Sequence, residues 1–255
     1  MKVISLGWGV QSWALAAMSA LGVLPKVDAA IHADTTHERS ETYDFAKRWT
    51  PWLEEWGVRV VTVKADDGSQ DRIWDDTGQT MIPLYTRADN DGQLRRSCTG
   101  RWKIQPIKRW LQASRNGQSV EQWIGITLDE VHRMKSSDVQ YIDLRYPFIE
   151  MLDRPWTRGM VMRWLQENDL EIPVKSSCVF CPYHDRASWR EIKRSGNGDW
   201  QKALAVDEAI RDKRPGYKCY LIADRIPLAE ADFRSEEDHG QLSLWGEECE
   251  GMCFL

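Results

Sequence analysis

The sequence predicts an α/β fold built on a doubly wound, mostly parallel sheet. Three observations predict it. Short apolar runs alternate with helix-like segments over residues 1–150, the rhythm of parallel strands joined by helices. The first run, Val3-Ile4-Ser5-Leu6, meets a glycine turn, Gly7-Trp8-Gly9-Val10-Gln11-Ser12, and then an alanine-rich segment. The second, over residues 27–32, ends in Ala33-Asp34-Thr35-Thr36-His37-Glu38, an acidic tip on the rim where ligands of such sheets lie.

The elements follow in order. A strand is expected over 2–6 and a helix over 11–21, with Gly22 as its stop. The strand over 27–32 precedes a helix capped by Ser40. Its Phe45, Trp49, Trp52, Leu53 and Trp56 recur at helical spacing, and Pro51 can kink it. Gly57 ends that helix, and the β-branched run 58–63 is a strand. Residues 64–100 are polar, apart from Met81-Ile82-Pro83-Leu84-Tyr85; a loop this long usually has a functional role. A helix is expected over 102–113, then a strand over 123–126 ending in Thr127-Leu128-Asp129-Glu130, and another over 141–148. Helices over 157–168, 186–194 and 199–213 and a strand over 220–222 complete the reading. Residues 1–150 form the α/β domain and 151–255 a helical, cysteine-rich region; no internal repeat is visible.

Composition narrows the class. The chain has 255 residues, 42% hydrophobic and 29% charged, enough for an ordinary core. No apolar run approaches the roughly 18 residues of a membrane span, and Met1-Lys2-Val3 enters a strand without a signal-peptide pattern. A cytoplasmic protein with no membrane partner is the expectation. The net charge of −5 argues against a molecule-wide nucleic-acid binder. Local basic clusters remain: Arg95, Arg96, Arg101 and Lys103, and later Arg186, Arg190, Lys193 and Arg194. Each is either a solvated helix face or a ligand contact. Most of the fourteen tryptophans are expected in the core, with some free to stack on a base.

The glycine turn carries the first chemistry. Glycines let backbone N–H groups approach an anion, and a helix N-terminus adds positive potential there. The spacing is Gly-x-Gly-x-x-Ser, neither the dinucleotide fingerprint nor the Walker loop. A carboxylate at Asp34 could hold ribose hydroxyls or a metal. Asp129 and Glu130 could bind Mg²⁺ or orient a basic side chain; equally, they suit the start of a helix. The six cysteines stand at 98, 178, 181, 219, 249 and 253. Cys178-Val179-Phe180-Cys181 is metal-binding or redox in pattern; Cys219 reads most simply as core.

These motifs together resemble the PAPS reductase-like branch of the adenine nucleotide α-hydrolases, the PP-loop or N-type ATP pyrophosphatases. The loop is similar to that family's Gly-Gly-Gly-Val-Gln-Ser version, with Trp8 in place of a glycine and Gln11 where the commonest version is acidic. Residues 33–38 with Thr42-Tyr43 resemble its Ala-Asp-Thr-Gly-x-Glu and Thr-Tyr. Further matching segments are Arg96-Ser97-Cys98-Thr99 with Lys103-Ile104, Ile124-Gly125-Ile126 with Asp129-Glu130 and Arg133-Met134, Tyr146-Pro147-Phe148-Ile149-Glu150, and Lys175-Ser176-Ser177-Cys178-Val179-Phe180-Cys181-Pro182. The resemblance covers residues 1–200 and implies a HUP-like fold. It implies an adenine nucleotide, ATP with Mg²⁺, held by Ser5, Gly7, Trp8, Gly9, Val10, Gln11, Ser12, Ala33, Asp34, Thr35, Glu38 and Gly125. Catalytic roles fall to Ser12, Arg96, Lys103, Asp129, Glu130 and Arg133. ATP would be cleaved between its α and β phosphates to adenylate an acceptor, a nucleic acid or nucleoside, for replacement by sulfur from a donor protein. Cys98, Cys178 and Cys181, with Cys249, Cys253 or no fourth cysteine, resemble the ligands of a 4Fe–4S cluster, with zinc or merely buried thiols as alternatives. Two other activities stay open: a sulfonucleotide reductase with a cysteine nucleophile, and a nucleotide-sensing subunit without turnover. An oligomer is compatible with all three.

Overall fold

The structure is a computed structural model and describes residues 1–66, 68, 70, 73, 80–87 and 91–234. In chain order the elements are β1 (Lys2–Ser5), α1 (Val10–Ala20), β2 (Ala29–Ala33), α2 (Ser40–Glu55), β3 (Val60–Val63), β4 (Tyr85–Arg87), β5 (Gly92–Gln93) and α3 (Gln105–Ser114). Then come β6 (Val120–Trp123), β7 (Ile142–Arg145), α4 (Pro147–Glu150), α5 (Arg158–Glu167), α6 (Arg186–Ser195), α7 (Asp199–Ile210) and β8 (Lys218–Tyr220). A π-helical turn, Thr99–Ile104, leads into α3, and a 3₁₀ turn, Leu128–Arg133, follows β6.

The chain forms two compact units. The first takes Met1–Asp66 and Arg101–Ser176; the second draws on Asp67–Gly100 and Ser177–Leu255. This division differs from a single cut at residue 150. The segment after β3 and the segment after Ser176 pair with each other, so each unit is discontinuous in sequence.

The first unit is the α/β fold the sequence predicts. Its five strands run in the order β3-β2-β1-β6-β7, with every pairing parallel. Alternate residues along β1 and β2 enter opposite cores. Ile4 and Ala30 pack with α1 and with Phe45 and Leu53 of α2, and Val161 and Leu165 of α5 join them. Val3, Ala29 and Ile31 pack with Ile107 and Leu111 of α3. Helices therefore cover both faces, which explains why these strands read as unbroken apolar runs. Ser40 is the first residue of α2, not its cap; Arg39 occupies the cap position, and its side chain makes no capping hydrogen bond. The helix continues through Pro51 to Glu55.

The second unit holds a three-stranded antiparallel sheet, β5-β4-β8, with α6 and α7. The sequence reading expected loop for the first two strands. Part of the basic cluster on α6 works internally. Arg186 donates to the Asp232 carbonyl at 2.7 Å and Arg190 to the Phe233 carbonyl at 2.6 Å, which holds that segment on the helix. Cys219 is buried in β8, and burial pushes its thiol pKa up. Among the described residues no helix is long and apolar enough to cross a membrane.

Candidate functional site

The strand order reverses direction between β1 and β6, which lead out to β2 and β7 respectively. Open α/β sheets bind ligands outside the carboxyl ends of their strands at such a switch point. The Gly7–Ser12 loop follows β1 there. Ser5 ties the two strands together, because its Oγ accepts from Gln122 Nε2 at 2.7 Å. Ser12 Oγ accepts the Gly7 N–H at 3.1 Å and donates to the Gly9 carbonyl at 3.2 Å, so this hydroxyl closes the loop. Gly9 caps α1 in extended conformation. No side chain caps the helix, and its first turn carries no acidic residue. The first-turn N–H groups that a helix cannot satisfy internally, and the positive end of its dipole, lie at this loop.

The glycines serve space more than conformation. The left-handed residue of the loop is Trp8, at φ 57°. A bulky side chain there is an outlier that costs on the order of 1–3 kcal/mol. Its ring does not block the loop; it is 1% exposed, packed on Trp13, Phe45 and His32. Val10 is buried beside it. The glycine with a strict steric requirement is Gly125, after β6. A Cβ there would stand 3.0 Å from Gln11 C, Gln11 Cβ and Ser12 N. Strand β6 thus meets the start of α1 backbone to backbone.

A buried polar cluster follows β2. Glu38 is 3% exposed and binds Lys103 Nζ at 2.9 Å. It also accepts from Ser176 Oγ at 3.2 Å and Thr35 Oγ1 at 3.4 Å. Burial alone would raise the Glu38 carboxyl pKa; the Lys103 ammonium, the Lys103 and Ser176 hydrogen bonds and nearby His32 outweigh it and hold it below the usual range. His32 Nδ1–H donates to the Leu6 carbonyl at 3.1 Å. Burial lowers its pKa, against the pull of Glu38. Ser176 connects this cluster to the loop, since a Cβ on Gly9 would lie 3.7 Å from Ser176 Cβ. At the tip, after Ala33, Asp34 accepts from the Thr36 N–H at 2.7 Å and Tyr43 Oη at 2.8 Å, and pairs with Lys64 at 3.0 Å. These interactions overcome burial and lower the Asp34 pKa.

Gln11 links the loop to the turn after β6. Its Nε2 donates to Glu130 Oε2 at 3.2 Å, and Arg133 donates to Glu130 Oε1 at 2.6 Å. Arg158 reaches Gln11 Oε1 at 3.5 Å. Asp129 accepts from Thr127 Oγ1 at 3.2 Å and from the Arg158 N–H at 2.5 Å. The first unit therefore brings together the loop, Glu38, Lys103, Gly125, Glu130 and Arg133.

Arg96, Cys98, Cys178 and Cys181 belong to the second unit. Arg96 lies over the Tyr183 ring, 5.4 Å from its centroid, and bonds Thr99. Burial raises the Tyr183 phenol; Arg96 opposes this, while Cys181 and Cys98 add to it. Cys98 and Cys181 are thus both near Tyr183. His184 pairs with the Cys178 carbonyl at 2.9 Å. Among the described residues, no group of three or more His, Cys, Asp or Glu side chains is placed to hold a metal ion. Cys249 and Cys253 lie outside the described residues. Sequence reasoning gave no site role to Ser176, His32, Tyr43, Lys64 or Arg158. Lys175-Ser176-Ser177 and Thr42-Tyr43 stood out as motifs, but His32, Lys64 and Arg158 reach their partners only through the fold.

Fold and site together define an α/β protein with a candidate ligand loop at the switch point of a parallel sheet. Neither a family model nor a curated protein matches the chain. Among solved structures it is similar to phosphoadenylyl-sulfate (PAPS) reductase from Candida auris, in a phosphate complex. The identity is 14%, the TM-score 0.44, and the match covers 68% of this chain and 74% of that one.

Proposed function

We propose that the chain binds an adenine nucleotide at the Gly7–Ser12 loop and cleaves ATP to AMP and pyrophosphate, adenylating an acceptor for sulfur incorporation or nucleoside modification. The observation that carries this reading is the uncapped, acid-free start of α1 at the switch point. Two backbone details support the resemblance behind it. Trp8 and Thr36 stand where the family patterns have glycine, and both hold left-handed φ values, 57° and 63°. The chain keeps the glycine-like backbone although the side chains differ.

In this reading an acceptor oxygen forms a bond to the α phosphorus as the α–β bridging P–O bond breaks. Pyrophosphate leaves with that electron pair. First-turn N–H groups of α1 bear the developing charge. Lys103, anchored on Glu38, and Arg133, anchored on Glu130, supply fixed positive charge around the loop. Mg²⁺, when bound, would supply neutralising charge for the phosphates. Asp129 and Glu130 are the carboxylates for it, although both Glu130 oxygens already accept protein hydrogen bonds. Cys98, Cys178 and Cys181 remain the candidate donors for an iron–sulfur or zinc centre in the second unit. Their chemistry suits soft metals, but these three do not form a complete donor group.

Incubation with ATP and Mg²⁺ tests the reading, with AMP and pyrophosphate as the expected products. Release of adenosine 3′,5′-bisphosphate from PAPS without ATP cleavage would assign a reductase instead; nucleotide binding without turnover would assign a sensor. Gly9→Val adds bulk against Ser176 and should abolish ATP binding in a folded protein. Wild-type affinity in that variant would remove the loop from the site.

A further inference from the structure

We propose that Trp8 is a positioning residue: its indole pins the glycine loop in one conformation from beneath. This deepens the reading of the loop as a nucleotide site and rests on it where ligand affinity is concerned. Trp8 is flanked by Gly7 and Gly9, and it holds φ 57°, a conformation that costs an ordinary residue and not glycine. Something must hold it there. Its ring centroid lies 6.2 Å from Trp13 of α1, 6.1 Å from Phe45 of α2 and 6.5 Å from His32 of β2. One loop side chain is therefore seated on three elements of the first unit at once. Trp13 is itself fixed, its Nε1 donating to the Glu171 carbonyl at 3.1 Å. His32 contacts the Leu6 carbonyl just before the loop. The indole is buried, so its contribution to a ligand is made through the backbone it fixes.

Glycine at this position would relieve the left-handed strain but leave three consecutive glycines with no anchor. A loop that is binding-competent for only one-tenth of the time binds about tenfold more weakly. The experiment compares wild type, Trp8→Gly and Trp8→Phe by hydrogen–deuterium exchange and by titration with ATP and with inorganic pyrophosphate. In Trp8→Gly, amides of residues 7–12 should exchange faster while β1 and β2 keep their protection, and both ligands should bind about tenfold more weakly. Trp8→Phe keeps an aromatic ring on Trp13 and should restore both readouts to near wild type. If Trp8→Gly does not fold, Trp8→Leu, which keeps apolar bulk without the ring stack, takes its place with the same expectations. Unchanged loop exchange in a folded variant overturns the proposal, as does wild-type affinity for both ligands. If wild type binds neither ATP nor pyrophosphate, the nucleotide reading falls, and the exchange measurement still decides what Trp8 does.

Discussion

Thr36 shares the left-handed backbone of Trp8 but not its burial; its side chain is exposed. The two residues should therefore answer the same substitution in opposite ways. Thr36→Gly relieves strain of about 1–2 kcal/mol, and the larger unfolded-state entropy of glycine takes back part of it. A gain of up to about 1 kcal/mol in unfolding free energy, read as a higher denaturant midpoint, is expected; a loss would show that the Thr36 hydroxyl, which donates to the Thr35 carbonyl at 2.6 Å, matters more than the strain. His32 offers a second test at this scale. Unfolded, it titrates near its ordinary 6.5; folded, burial lowers that value despite Glu38 and Asp34 nearby, while Lys103 adds to the lowering. As pH falls the unfolded chain takes up the proton first. The stability linked to the neutral ring is thus complete above 6.5 and declines as the pH drops below it. Glu38 and Asp34, with lowered pKa values, lose their contributions only at more acid pH. Urea midpoints should fall between pH 7 and pH 5.5 (roughly the His range), and His32→Gln should flatten that slope. An equal slope in the variant would assign the acid sensitivity elsewhere.

At the level of elements, the close meeting of β6 and α1 makes Gly125 a sensitive point. A methyl group there would have to push the start of α1 aside by a few tenths of an ångström. Gly125→Ala should cost about 1–3 kcal/mol, as overpacking does, and should weaken ATP binding as well. An unchanged thermal midpoint with unchanged affinity would mean the first turn of α1 yields freely. The glycine motif at 124–126 was legible in the sequence, but its reason was not, because Gln11 and Ser12 are more than a hundred positions away. The same limit runs through the fold. Strands β1 and β2 were legible because both their faces pack on helices, leaving apolar runs that stand out from their surroundings; β3, at the sheet edge with Thr62 exposed, was legible from its β-branched run instead. Strand β6 begins earlier than expected, at Val120, since Glu121 and Gln122 interrupt the apolar pattern while still pairing with Lys2 and Val3 of β1. Strands β4 and β5 are two or three residues long, too short for any periodicity, and β4 finds its second partner at β8. Motifs fixed by local geometry could be read; the Glu38–Ser176 and Gln11–Glu130 bonds, set by tertiary folding, could not.

For the whole molecule, net charge says little about substrate class. The net charge of −5 coexists with basic side chains engaged with acidic or carbonyl partners, Lys103, Arg133, Arg186 and Arg190 among them. The cysteines are open to a direct measurement. If Cys98, Cys178 and Cys181 do hold an iron–sulfur centre, protein purified without oxygen carries iron and a broad band near 400 nm (an approximate position for such clusters), lost on Cys178→Ser. Stoichiometric zinc without colour would favour the zinc alternative, and no metal at all would leave the thiols structural. One further consequence lies in the aromatic cluster beneath the loop. Trp8, Trp13, Trp49, Trp52 and Trp56 form a continuous series of ring neighbours, with centroids 4.9 to 6.2 Å apart, that runs from the buried loop to Trp56, which is 47% exposed. Indoles this close share excitation. Light absorbed anywhere along the series can be emitted from its solvent-facing end, so a change at the loop should register in the native fluorescence without any attached dye.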